Sequence, residues 1–473
     1  MDQQKSVGTS NKWQRLLADF KTAVKGEEKN FTSGSINKAI FMLSVPMILE
    51  MVMESLFAVV DVFFVSRLGE NAVATVGLTE SVLTSIYAVA IGISMAATAM
   101  IARRIGEKKV KEASQAAGQA LILSVFISVI ISLAGIYFAA DILRLMGGSE
   151  ILIAQGQGYT RLMLGSNITI MLLFLNNAIF RGAGDASIAM RSLWIANIIN
   201  IFLDPLLIFG WGPVPAFGVT GAAMATAIGR SCGVVYQFSV LFGGRSVIKI
   251  NRKYIKLRLD MIWQIIKVSF GGMGQFLISS ASWVFLTRII SEFGSDALAG
   301  YTVAIRVIIF TILPSLGLAN AAATLVGQNL GAGHPDRAEK SVWRAAFYNM
   351  VFLTSISVIL FVFAEGIIQI FSQKETVIVY GKQCLRYICV GYVFAAYGMV
   401  ISQSFNGAGD TRTPTFINFF CEWVLQIPLA YALAVYLDMG PTGVFIAIAI
   451  SFSVLAVISI LVFRRGTWKL VKI

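Results

Sequence analysis

Charge is scarce in this chain: 13% of its 473 residues are Asp, Glu, Lys or Arg, about half the share of a soluble domain. A water-soluble globular enzyme is therefore excluded as a class. Histidine occurs once, at His334, which leaves almost no room for His-based metal sites or triads. The four cysteines, Cys232, Cys384, Cys389 and Cys421, sit in apolar runs at no metal-binding spacing and read as buried thiols. HExxH and aspartate-rich metal motifs are missing, which argues against an intramembrane enzyme, and no cofactor is expected. Nine prolines and 42 glycines without a Gly-X-Y period exclude a collagen. Disorder is excluded by what replaces the charge: 57% of the residues are hydrophobic and the mean hydropathy is +0.76.

What is present is a series of long apolar runs, and a helix needs about 20 such residues to cross a bilayer. Twelve candidate spans begin near Ala39, Val73, Ala116, Gly158, Ile188, Gly218, Ile262, Ala297, Val342, Gly381, Pro414 and Thr442. The two-residue alternation of a membrane barrel is absent, so the expectation is an all-α membrane protein. Residues 1–37 are polar, without an apolar signal stretch, so the first span is expected to act as the anchor. Trp13, Leu16, Leu17, Phe20 and Val24 share one helical face suited to a membrane surface, with a disordered tail as the alternative.

The net charge of +13 is concentrated in alternate loops. Arg103, Arg104, Lys108, Lys109 and Lys111 follow the second span; Arg245, Lys249, Arg252, Lys253, Lys256 and Arg258 follow the sixth; Arg464, Arg465, Lys469 and Lys472 end the chain. The intervening loops are nearly bare. By the positive-inside rule both termini are expected in the cytoplasm, with the protein in the cytoplasmic (inner) membrane. The basic balance is a topology signal beside anionic lipid, not a nucleic-acid footprint.

The chain also repeats itself. Arg181-Gly-Ala-Gly-Asp185 recurs as Asn406-Gly-Ala-Gly-Asp410, an offset of 225 residues. At the same offset Gly69 matches Gly294, Ala72 matches Ala297, Gly106 matches Gly331 and Ala113 matches Ala338. Six spans per half make parallel repeats about an axis along the membrane normal, with a substrate path between them. The expected divisions are a cytoplasmic tail at 1–37, a first lobe at 38–242, a basic cytoplasmic linker at 243–261, a second lobe at 262–465 and a cytoplasmic tail at 466–473. Asp185 and Asp410, duplicated after Gly-Ala-Gly, read as turn or helix-cap residues.

Residues in only one half are the better functional candidates. Ionisable residues inside a span are costly and usually face inward. Glu50, Glu54 and Asp61 fall on one stripe of the first span, at about 100° per residue. Glu80 lies in the second span, Asn197, Asn200 and Asp204 in the fifth, Thr226 in the sixth. Asp61, Glu80, Asn200, Asp204 and Thr226 all fall within roughly 6–15 Å of the outer surface and converge on one expected pocket. The second half has Gln275 opposite Glu50, Ser279 opposite Glu54, Leu286 opposite Asp61 and Leu429 opposite Asp204. Carboxylate, amide and hydroxyl oxygens are the ligands of a hard cation, and crowded carboxylates can hold a proton. Pro46 and Pro205 each remove a backbone hydrogen bond, so spans 1 and 5 can bend. Asn176, Asn177, Gln275 and Glu422 are candidates for a substrate cavity. Any one of these acids also has a plain alternative, as a helix-end residue or the partner of an internal arginine.

Several stretches resemble one family. They are Pro46 with Asp61-Val-Phe-Phe-Val-Ser-Arg-Leu-Gly69, the duplicated Gly-Ala-Gly-Asp, Asn200 with Asp204-Pro205, Gly218-Val-Thr-Gly-Ala-Ala-Met-Ala-Thr226, and Ile427-Pro-Leu-Ala-Tyr431. Together they resemble the multidrug and toxic compound extrusion (MATE) transporters of prokaryotic type, over roughly residues 35–465. The resemblance implies a V-shaped pair of six-helix lobes, a monomer, and alternating-access antiport of organic cations or drugs against H⁺ or Na⁺. It assigns coupling to Asp61, Asn200, Asp204 and Thr226, which would also be the Na⁺ ligands, and the bend to Pro46. One subgroup's acids on spans 7 and 10 are missing here. Glu50, Glu54 and Glu80 depart from the common pattern, as accessory acids that change ion stoichiometry or bind substrate. A flippase or exporter of a lipid-linked or other amphipathic metabolite on the same fold is the alternative.

Overall fold

The computed structural model describes residues 12–27, 30–251, 254 and 256–473. After a short helix α1 (Lys12–Lys25), twelve helical rods follow. In the first half they are α2 (Ile36–Ser66), α3 (Glu70–Gly106), α4 (Val110–Leu145), α5 (Glu150–Gly165) continued by α6 (Asn167–Ala183), α7 (Ala186–Phe209) and α8 (Val219–Gly243). In the second half they are α9 (Leu259–Ser291), α10 (Ser295–Gly331), α11 (Pro335–Val362) with the short α12 (Ala364–Gln369), and α13 (Glu375–Val390) continued by α14 (Tyr392–Ala408). The eleventh rod runs through α15 (Arg412–Asn418), a π-helical segment Phe419–Gln426, α16 (Ile427–Tyr431) and a second π-helical segment Ala432–Tyr436. The last is α17 (Pro441–Arg464). Nine rods of the described residues are long and apolar enough to span a membrane, ten with the bent pair α13–α14; α2 and α8, at 31 and 25 residues, have the length as well. All twelve expected spans are thus helical. On α4, Phe126, Ile130, Leu133 and Tyr137 form an exposed apolar stripe, the surface a lipid tail would cover.

The duplication is visible in backbone detail. Rod 4 breaks at Ser166 and rod 10 at Gly391, 225 residues later. Gly184 and Gly409 end α6 and α14 with φ of 87° and 90°, a conformation other residues rarely adopt. The following aspartates then diverge. Asp410 caps α15 through Thr413 N at 3.2 Å. Asp185 accepts from Ser246 Oγ at 2.5 Å and Val247 N at 3.0 Å, tying down the segment after α8.

The two halves join at one end. A Cβ on Gly106 would lie 2.0 Å from Gln328 O, and one on Gly331 would lie 2.1 Å from Arg103 O, so α3 and α10 cross on the pseudo-twofold axis with backbones touching. One level further in, Gly92 packs on Met273 while Gly317 packs on Met47 and Ile48, again an equivalent pair. One apolar core joins α3–α8 to Met261, Ile265 and Val268 of α9; a second joins Ala39–Met47 of α2 to α10, α11 and α14. A third, from Leu286 to Ile448, contains second-half residues alone. These contacts between the halves lie toward the end that carries the basic loops, while the third core leaves the other end of the second half packed on itself.

Chain segments cross that closed end. Arg191 of α7 donates to Val24 O and Lys25 O, both at 3.1 Å, and Arg337 of α11 donates to Ser33 O and Gly34 O, both at 2.8 Å. From the other terminus, Val471 O accepts from Arg103 Nη2 at 3.2 Å. Of the amphipathic face expected near the N-terminus, the side chains of Trp13 and Leu16 lie outside the described residues; Leu17 and Phe20 are exposed on α1.

Candidate functional site

The site grows from a stripe of small residues on α8. Cβ atoms on Gly221, Gly229 and Gly233 would meet Leu207 O, Ala196 O and Ser192 O at 2.3, 2.5 and 3.0 Å. That close approach of α8 to α7 is what lets short polar side chains meet between them. Asn200 Nδ2 donates to Thr226 Oγ1 at 3.1 Å and to Asp204 Oδ1 at 3.4 Å. All three residues are buried, and Asn200 Oδ1 and Asp204 Oδ2 have no hydrogen-bond partner among the described residues. Four oxygens of amide, carboxylate and hydroxyl type thus converge, a donor set that fits a hard monovalent cation or a proton. The pentapeptide Gly229–Gly233 also has the GxSxG spacing of a serine-nucleophile turn. It lies inside α8, and Ser231 Oγ is spent on Ala227 O at 2.7 Å, so it presents no nucleophile.

Asp61 stands beside this trio on α2. It lies within electrostatic reach of Asp204 but hydrogen-bonds none of the three among the described residues. Glu54, Asp61 and Glu80, each partly buried, surround a residue that sequence reasoning missed: Arg230, one turn beyond Thr226 on α8. Its side chain is 8% exposed, donates to Tyr87 OH at 3.4 Å and stands 5.8 Å from the Phe57 ring centroid. Arg230 Nη1 has no hydrogen-bond partner among the described residues, and no ion pair within 4.0 Å joins Arg230 to an acid there. Three carboxylates therefore share one guanidinium in a low-dielectric pocket, with Asp204 close to one of them, Asp61. They cannot all stay charged without protons or cations to balance them. The signal in the sequence was an arginine inside an apolar run, with Leu455 at the equivalent position.

Glu50, within electrostatic reach of Glu54, is held by partners of its own. It is 1% exposed, and its Oε1 accepts from Arg181 Nη1 at 2.7 Å and from Asn177 Nδ2 at 3.0 Å. The plain alternative, pairing with an internal arginine, describes what the structure contains at this position. Asn177 Oδ1 in turn accepts from Ser192 Oγ and Gln237 Nε2 at 2.9 and 2.7 Å, and Asn176 Nδ2 donates to Gln237 Oε1 at 3.1 Å. Asn176 and Asn177 thus sit inside a network joining α2, α6, α7 and α8 rather than on an open wall. Gln275, likewise buried, exchanges hydrogen bonds with Asn406 at 2.9 and 3.1 Å. By the repeat register this is the Glu50–Arg181 pair rewritten as two neutral amides.

The prolines lie where bending would matter. α2 and α7 run through Pro46 and Pro205 without a break. Pro46 adjoins Met47 and Ile48, the residues that touch Gly317 of the other lobe. Pro205 follows Asp204 directly. Glu422 lies in the second lobe, in the π-helical segment, bonded by Ser279 Oγ at 3.0 Å.

Comparison with known proteins agrees with this architecture. The family profile MatE matches residues 46–206 and again 273–432, once in each half. A probable multidrug resistance protein NorM of Thermotoga maritima is 27% identical over 439 residues, 92% of this chain and 93% of that one. An FAD transporter of Shewanella oneidensis is 24% identical, covering 89% of this chain and 92% of its own. Among solved structures, the outward-facing conformation of a multidrug resistance MATE family transporter of the MOP superfamily superposes with a TM-score of 0.88 at 28% identity, covering 93% of this chain and 98% of that one.

Proposed function

The chain belongs to the MatE family of membrane transporters, and on that premise we propose that it is a secondary antiporter. It exports organic cations or drugs in exchange for inward flow of H⁺ or Na⁺, by alternating access. The basic loops face the cytoplasm, both termini lie there, and the lobes open to the outside of the inner membrane. The observation that carries this reading is the asymmetry of charge between twin lobes. Asp61, Glu54, Glu80 and Asp204 crowd the first lobe, and Leu286, Ser279, Ile305 and Leu429 stand at the equivalent positions of the second.

The coupling ion enters from the open side and is held by Asp204, Asn200 and Thr226, with Asp61 supplying the second carboxylate. Neutralising this cluster weakens the negative field met by a cationic substrate in the adjoining cavity, so the ion lowers the substrate's affinity without sharing its ligands. Asp61 sits on the same helix as Pro46, and Pro46 lies beside the contact between α2 and α10. A change of shape at the proline on ion binding therefore acts directly on the junction that closes the inner side. Relatives named as multidrug resistance proteins support the drug class of the cargo.

The test is uptake into sealed vesicles under separately imposed pH and Na⁺ gradients. One gradient should drive wild-type transport, and Asp61→Asn and Asp204→Asn should abolish the response. Wild-type transport by both variants overturns the coupling role. An exporter of anionic amphipathic metabolites is the second reading, favoured by the similarity to an FAD transporter and by the buried Arg230. Gradient-driven transport of FAD, with no transport of organic cations, would select it.

A further inference from the structure

Glu422 is a carboxylate inside a membrane span that the coupling site does not use. Ser279 Oγ donates to its Oε1 at 3.0 Å, and Ser282 Oγ donates to its main-chain carbonyl at 3.3 Å. Its other oxygen, Oε2, is buried and has no hydrogen-bond partner among the described residues. No ion pair reaches it there, and the arginines of the rods packed against it, Arg288 of α9 and Arg464 of α17, are exposed. The helix is π-wound over Phe419–Gln426, a rare geometry that is frequent at functional sites.

The repeat register gives this acid its meaning. Ser279 occupies the position of Glu54, and Glu422 that of Asn197. In the first lobe, the acid is on α2 and the amide on α7; Asn197 bonds Met53 O at 3.3 Å and lies beside Glu54. In the second lobe, the acid has moved to the partner helix and a hydroxyl faces it. At this one level of the helix pair each lobe thus has a single carboxylate, Glu54 in the first and Glu422 in the second. The lobes differ in the cation. Glu54 shares Arg230, whereas the position equivalent to Arg230 is Leu455.

We propose that Glu422 and Ser279 form a cation-binding subsite in the second lobe that takes the charged nitrogen of an organic ammonium substrate. One carboxylate and one hydroxyl are too few oxygens for a bare alkali or alkaline-earth ion. They suit a single charged nitrogen with an apolar body. Phe285, Trp423 and Phe419 supply aromatic surface on the same two rods, with ring centroids 5.3 and 6.3 Å apart. Ion and substrate are then read by different lobes. The proposal rests on the export reading and specifies where its cargo binds.

The experiment is equilibrium binding of ethidium to the purified full-length protein, followed by fluorescence. Glu422→Gln is expected to weaken binding by about tenfold or more, and Glu422→Asp by less. Ser279→Ala should weaken it by about threefold and serves as the milder variant if Glu422→Gln fails to fold. Wild-type affinity in Glu422→Gln, or in Ser279→Ala when Glu422→Gln does not fold, overturns the subsite alone. An equal loss of binding for an uncharged dye also overturns it, as the mark of a structural defect. No binding by the wild type overturns the export reading and the subsite together.

Discussion

The Glu50–Arg181 pair lends itself to a quantitative test, because the molecule contains its own control. In the first lobe a carboxylate at 1% exposure meets a guanidinium at 14%, 2.7 Å apart. In the second lobe the equivalent helices are joined by Gln275 and Asn406. Arg181→Asn strands Glu50 in the protein interior. Breaking a buried pair on one side costs about 3–5 kcal/mol. Glu50→Gln leaves the more accessible Arg181 unpaired and should cost less, about 2–3 kcal/mol. The double variant Glu50→Gln/Arg181→Asn copies the second lobe and should fall within about 1 kcal/mol of wild type, since replacing a whole buried pair is often neutral. The assay is unfolding of purified protein in mixed micelles with rising SDS, followed by tryptophan fluorescence, as a double-mutant cycle. Additive losses in the double variant would refute the equivalence of the two pairs. Transport by the double variant at the wild-type ion stoichiometry would identify Glu50 as scaffold rather than a coupling group.

Other consequences follow from the same contacts. Gly331→Ala places a methyl group where Arg103 O now sits 2.1 Å from the ideal Cβ, so it should force the closed end apart; spin labels at Lys111 and Lys340 should report a longer distance, and an unchanged distance would count against the crossing as the closure. Arg337→Ala removes the donor to Ser33 O and Gly34 O, so trypsin should cut near Lys38 faster, with the membrane core intact. Thr226→Val removes a hydroxyl that holds Asn200, and the ion concentration for half-maximal transport should rise about fivefold, the equivalent of one hydrogen bond. A variant with wild-type ion dependence would remove Thr226 from the site.

Much of this arrangement was legible because it was periodic. The 225-residue offset that relates the two Gly-Ala-Gly-Asp motifs in the sequence also relates the breaks at Ser166 and Gly391 and the crossings at Gly106 and Gly331. Helical spacing on one rod placed Asn200 with Asp204, and the register argument marked the acids as belonging to one lobe. What escaped was pairing between rods distant in sequence. Glu50 and Arg181 are 131 residues apart, and nothing local says that spans 1 and 4 touch there. Arg230 was overlooked because a single charge in a long apolar run neither repeats nor sits in a motif. Asn176 and Asn177 are candidates for a substrate cavity by sequence, and their bonds to Gln237 depend on the packing of α6 against α8, which no local pattern encodes. Asp185 was read as a cap from its Gly-Ala-Gly context; its bonds to Ser246 and Val247 depend on where the segment after α8 returns.

Ion release on substrate binding tests the central claim most directly. Purified protein in weakly buffered solution receives ethidium while an indicator dye follows H⁺ and a parallel sample loaded with radioactive Na⁺ follows sodium. The wild type should give up one of the two ions as ethidium binds, and Asp61→Asn and Asp204→Asn should give up none. Release of the wild-type amount by both variants would contradict the assignment of the first-lobe carboxylates as the seat of coupling.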